Sequence, residues 1–180
     1  HPKSFSKQNF HPSSKTHIFA ETKTSLLMAN TLTQIYLHLI FAVKNRTSLI
    51  PTLAESRLHA YLGGVLKQHN HIPLAIGGTA DHVHILVRYN VNQSVPDLVR
   101  DLKSSSSKFM SQHRVTPFKF EWQNGYAAFS YSQSQVEQVR RYVENQHVHH
   151  NGLSLRDEVK SILDKFGVEY DERYIICEPV

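Results

Sequence analysis

The sequence predicts an α+β fold on the ferredoxin-like, split βαβ plan. This is an antiparallel sheet with helices on one face, followed by a C-terminal tyrosine-bearing helix and an extension. Three observations predict it. Apolar residues alternate over 33–43 and again over 82–89, the pattern of half-buried strands. Residues 52–70, and a second segment opening at Ser94, place apolar residues at helical spacing. Two strand-like runs meet around Gly77–Asp81, so a hairpin is their simplest link. The full order reads β-α-β-β-α-β-α-α. Many unrelated functions share such a plan, so function has to be argued from a site.

Taken in order, residues 1–30 are polar, Ser/Lys-rich and without period, and lack the apolar core of a secretory signal. They read as a disordered N-terminal extension, with Met28 as the natural start of the domain. The functional domain is expected over 31–150, and a C-terminal helix and tail over 151–180. In TQIYLHLIFAV (33–43), Tyr36, His38 and Ile40 share one face while Leu37, Leu39 and Phe41 share the other. KNRTSLIP is a loop. The helix at 52–70 has apolar residues at helical spacing: Leu53, Leu58, Tyr61, Leu62 and Leu66. Strands are expected next at 72–78 and 82–89. Ser94 stands where an N-cap belongs, with Pro96 and Asp97 in the first turn. Leu98, Val99, Leu102, Phe109 and Met110 give that helix its apolar face. Residues 118–132 are extended, broken at Asn124-Gly125. Helices are expected at 134–150 and 152–167, the second with Ser154 and Asp157 at its start and Gly167 at its end.

The chain has 180 residues, enough for one domain with a real core. Its single cysteine, Cys177, cannot form an internal disulfide, which fits a reducing compartment. No apolar run is long enough to span a bilayer. The net charge of +5 is uneven. Residues 1–120 carry 14 Lys and Arg against 5 Asp and Glu; residues 121–180 carry 6 against 10. A basic body fits a polyanionic partner or simply a basic solvated surface.

Among 13 histidines, three H-x-H triplets occur: His69/His71, His82/His84 and His147/His149. Geometry separates them. Strand residues i and i+2 share a face about 7 Å apart, so His82 and His84 can converge on one ion. Helix residues i and i+2 project roughly 200° apart, so His147 and His149 cannot. His69 and His71 sit in polar surroundings and read as surface. The pair at 82 and 84 is either a metal site or a pair of satisfied histidines. On the helix at 134–150, Val136, Val139 and Val143 make the apolar stripe, and Tyr142 and Gln146 stack beside it at i and i+4. If this helix covers the histidines, Gln146 can add an oxygen ligand and Tyr142 can present its hydroxyl. His150 is a rival third ligand. Tyr142 as a half-buried aromatic is the plain alternative.

These motifs together resemble the single-tyrosine HUH transposases, small insertion-sequence enzymes that move as single-stranded DNA. The match rests on GG-x-x-D-H-V-H (77–84), W-x-x-G-Y (Trp122 to Tyr126) and Y-V-E-N-Q (142–146). His38, followed by the basic turn Lys44-Asn45-Arg46, agrees with it. The resemblance covers roughly residues 31–150. It implies a divalent metal, Mg²⁺ or Mn²⁺, with His82, His84 and Gln146 as ligands and Tyr142 as the nucleophile. It also implies a homodimer acting on single-stranded DNA with a hairpin, cleaving and rejoining strands through a 5′-phosphotyrosine. The same resemblance implies a cytoplasmic, nucleoid-associated protein. Lys44, Arg46, Arg100, Lys103 and Lys108 are the candidate phosphate contacts. Two other readings stand beside it: a non-catalytic single-stranded nucleic-acid binding module, and a water-using metal-dependent phosphodiesterase.

Overall fold

The computed structural model describes residues 32–44, 50–116, 119–146, 154–172 and 175. Strands β1 (Ile35–Ala42), β2 (Ile72–Gly78), β3 (His82–Tyr89) and β4 (Ala127–Tyr131) form one sheet in the order β2-β3-β1-β4. Every pairing in it is antiparallel. Helix α1 (Thr52–Gln68) links β1 to β2, and α2 (Val95–Gln112) links β3 to β4. This is the split βαβ arrangement. A 3₁₀ turn (Gln133–Gln135) leads into α3 (Val136–Glu144), and α4 (Leu155–Phe166) comes after it.

Alternation in β1 and β3 sorts side chains onto two faces. Leu37, Leu39 and Phe41, with Val83, Ile85 and Val87, meet Leu58, Leu62 and Leu66 of α1 and Leu98 and Leu102 of α2. Burying each such side chain stabilises the fold by about 1.5–3 kcal/mol. The opposite face is covered by the later helices. Ile40, Ala42 and Phe129 pack with Leu155, Val159 and Ile162 of α4. Ala75 and Leu86 pack with Val139 and Val143 of α3. The extension after the tyrosine helix is therefore part of the core, through α4.

Local chemistry sets the ends. The Ser94 side chain accepts from the Asp97 amide, and Ser154 does the same for Asp157. Gly167 closes α4 in the left-handed region at φ 61°. Gly77 has a different task. A Cβ there would lie 2.0 Å from the Val143 carbonyl oxygen, so only glycine lets the α3 backbone rest directly on β2.

Three expectations are revised. The helix expected at 134–150 is interrupted: a Ser132 capping box opens a 3₁₀ turn, α3 ends at the Asn145 C-cap, and Gln146 is helical again. Residues 147–150 lie outside the described residues, as do 1–31. Among the described residues, the extended 118–132 segment forms a strand over β4 and an isolated bridge from Trp122 to Val43. His71, expected at the surface, is buried. Its Nε2 lies 3.0 Å from Gln93 Oε1, and its Nδ1 accepts from the Asn90 amide. Among the described residues, no helix is long and apolar enough to cross a membrane.

Candidate active site

His82 and His84 lie on β3, on the face covered by α3 and α4, and both are fully buried. Each ring has its Nδ1 tied by a neighbour. His82 Nδ1 lies 2.6 Å from Asp81 Oδ1 and 3.0 Å from Thr79 Oγ1. His84 Nδ1 lies 2.9 Å from Nε2 of His38, which sits on the adjacent strand β1. Burial lowers the His38 pKa to about 4, so that ring is neutral. If His84 carries its proton on Nδ1, it donates to His38, and its Nε2 lone pair is available to a ligand. Such partners fix tautomer and ring direction at metal-binding histidines.

Both Nε2 atoms face the same carboxylate. Glu158 of α4 lies 4.0 Å from His82 Nε2 through Oε2 and 3.6 Å from His84 Nε2 through Oε1. Tyr142 of α3 donates its hydroxyl hydrogen bond to Glu158 Oε1, and Gln146 Nε2 donates to the same oxygen at 3.2 Å. The tyrosine ring stands edge-on to His84, with centroids 5.9 Å apart. Burial, and secondarily the Asp81 charge, pushes the Glu158 carboxyl up to about 7. A cleft of about 540 Å³ between α3 and α4 reaches Tyr142 and Glu158 and is lined also by Tyr131, Phe166 and Lys165.

The sequence-predicted residues therefore divide. His82, His84, Tyr142 and Gln146 come together within one chain. Gln146 stands just past the end of α3 rather than inside it, and the turn still brings its side chain back to Glu158. Its Oε1 is buried and has no hydrogen-bond partner among the described residues. A buried amide oxygen without a partner, in a site that also holds two imidazole Nε2 atoms facing one carboxylate, is a donor set that fits a divalent cation.

The predicted cations lie elsewhere. Arg100, Lys103 and Lys108 belong to α2, on the opposite layer of the sheet. Arg100 is paired with Asp97 at 2.6 Å and with Asp101 at 3.6 Å, and Lys108 is exposed. Lys103 is committed to the fold. Its ammonium donates to the Gln123 and Gly125 carbonyls and lies over the Phe41 ring, and burial lowers its pKa to about 8. Lys44 pairs with Glu121 at 3.0 Å, and Arg46 is outside the described residues. Trp122 of the W-x-x-G-Y motif is structural: its indole donates to Ser106, and its ring packs against Phe41 and Phe120.

Sequence reasoning missed Glu158 and Asp81. Asp81 carried a weak sign, as a carboxylate immediately before the first histidine. Glu158 carried a stronger one. It sits with Leu155, Val159 and Ile162 on the buried stripe of α4, a charged residue at a core position.

Comparison with known proteins agrees with this geometry. Residues 31–146 match the family described as IS200-like transposases. The ISDra2 transposase TnpA of Deinococcus radiodurans is 26% identical over 119 residues, covering 63% of this chain and 85% of its own. A crystal structure of a Deinococcus radiodurans R1 protein assigned as a transposase superposes with a TM-score of 0.52 at 25% identity. It covers 65% of this chain and 94% of that one. A REP-associated tyrosine transposase bound to a REP hairpin shares the fold, with a TM-score of 0.52 at 13% identity. That match covers 68% of this chain and 72% of the other.

Proposed function

Because the chain belongs to the IS200-like transposase family, we propose that it cleaves and rejoins single-stranded DNA at insertion-element ends through a 5′-phosphotyrosine on Tyr142. His82, His84 and Gln146 would hold a divalent cation, Mg²⁺ or Mn²⁺. When bound, that ion supplies Lewis-acid polarisation of a phosphate oxygen. The observation that supports the reading is the meeting of Tyr142 with His84, ring edge to ring face, beside a cleft lined by Tyr142 and Glu158.

The residues divide the work. The Tyr142 hydroxyl oxygen attacks phosphorus, the bond to the 3′ oxygen breaks, and a 3′-hydroxyl is released after proton transfer. A tyrosine is mostly protonated at neutral pH, with a pKa near 10, so it needs an acceptor for its hydrogen. The hydrogen bond to Glu158 gives the hydroxyl one direction. Asp81 and His38 hold the imidazoles in register. The covalent phosphodiester keeps the energy of the broken bond, so the reverse attack by a 3′-hydroxyl rejoins strands without ATP.

The DNA partner in this reading is a single strand carrying a hairpin, the ligand class in the REP-associated relative's structure. Arg100 and Lys108 lie on the far layer, so they would hold the hairpin stem rather than the scissile phosphate. Lys44 and Arg46 are the further phosphate contacts proposed. Lys103 is given no phosphate contact in this reading, because its ammonium donates to the Gln123 and Gly125 carbonyls. The proposed homodimer would pair two DNA ends. A sheet-face nucleic-acid binder is disfavoured, because α3 and α4 cover the face such a module would use.

Covalent capture tests the proposal. Single-stranded oligonucleotides tiled from both flanks of the gene are incubated with protein and Mn²⁺ and run on a denaturing gel. A protein–DNA adduct is expected, lost in Tyr142→Phe and in EDTA. Cleavage that persists in Tyr142→Phe would instead indicate water as the nucleophile.

A further inference from the structure

We propose that Glu158 is a metal ligand, so that the helix after the tyrosine helix completes the ion's coordination. This rests on the reading of His82 and His84 as metal-holding residues. The first argument is placement. A carboxylate stands on the buried stripe of α4, between Leu155, Val159 and Ile162, where desolvation disfavours its charge even with the Tyr142 and Gln146 hydrogen bonds. A divalent cation offsets that penalty directly.

The second argument is spacing. The Glu158 oxygens stand 3.6 Å and 4.0 Å from the two histidine Nε2 atoms. These distances are too long for hydrogen bonds. They match two ligands of one ion, each about 2.0–2.2 Å from it. One ligand atom from each of His82, His84 and Glu158 lies within 4.8 Å of the others. The third argument is direction. Asp81 and His38 occupy the Nδ1 sides of the rings, and Glu158 stands on the Nε2 side where a ligated ion must lie.

Chemistry agrees with the placement. Two imidazoles and a neutral amide are a poor set for a hard cation, and an added carboxylate suits Mg²⁺ and Mn²⁺ better. The same carboxylate accepts the Tyr142 hydroxyl hydrogen bond and an amide hydrogen of Gln146. A single side chain thereby sets the distance between the ion and the nucleophile.

Mn²⁺ binding to the full chain, measured by calorimetric titration and by the free-Mn²⁺ EPR signal, tests this without DNA or turnover. Wild type, Glu158→Gln and His82→Ala are compared, with melting in EDTA as the check on folding. Glu158→Gln keeps the size and removes the charge; it is expected to weaken Mn²⁺ binding at least about 10-fold. His82→Ala should weaken it as much or more. Should Glu158→Gln fail to melt cooperatively, Glu158→Asp is titrated in its place, with weaker binding again expected. Wild-type affinity in the Glu158 variant, with loss in His82→Ala, overturns the role of Glu158 and leaves the histidine site standing. Failure of the wild-type protein to bind Mn²⁺ overturns both.

Discussion

The two faces of the sheet are built from the same alternating strands and carry opposite chemistry. Beneath α1 and α2, every buried strand residue of β1 and β3 is apolar. Beneath α3 and α4, the same strands bury His38, His82 and His84, and the helices add Gln146 and Glu158. Apolar packing is the stabilising default, and buried polar groups are tolerated only when satisfied. The contrast teaches that one face holds the fold together while the other accepts a cost in stability to bring histidines, a tyrosine, an amide and a carboxylate together.

Substitutions on each face should separate stability from chemistry. The largest effect is expected at the histidine face: His84→Ala should reduce covalent cleavage at least about 100-fold, measured as adduct formed per minute on a single-stranded substrate. On the other face, Leu62→Ala should lower unfolding free energy by about 2–5 kcal/mol in urea titration while the folded fraction keeps its cleavage rate. Loss of chemistry without loss of stability in Leu62→Ala would break the distinction.

Gly77→Ala acts at the seam between fold and site. Its Cβ would press on the Val143 carbonyl, so α3 must lift and carry Tyr142 with it. A loss of about 1–3 kcal/mol is expected by thermal melting, together with a slower adduct rate. The smallest effect sharpens the contrast through pH. His38 has a folded pKa of about 4 against 6.5 for the ordinary group. The unfolded chain therefore takes up this proton first as pH falls. Stability of the metal-free protein is fully present above about pH 6.5 and declines towards pH 4, by up to about 1.4 kcal/mol per pH unit from this one group. Urea midpoints across that range, compared with His38→Gln, should show the slope reduced in the variant.

Local chemistry explains what was legible in the sequence. Period-two alternation separated His82 and His84 from the other H-x-H triplets, and Ser94, Ser154 and Gly167 marked helix ends that the structure keeps. What failed was non-local. The break in the helix at Asn145 was not legible because the polar residues after Glu144 carry no stop as plain as glycine. Lys103 looked like a surface cation because nothing near it in sequence reveals the Gln123 and Gly125 carbonyls it ties down. Glu158 was hidden for a related reason. Its own helix shows it at a core position, but only the packing of α4 over β3 shows what waits there.

The central claim is that Tyr142 is the residue that becomes joined to DNA. Nuclease trimming of a captured adduct, then trypsin and mass spectrometry, reads this directly, because cleavage after Arg141 and Arg156 releases residues 142–156 as one peptide with a single tyrosine. The account predicts a residual nucleotide mass on that peptide, localised to Tyr142. The same mass on another peptide, or strand cleavage that leaves every peptide unmodified, would contradict it.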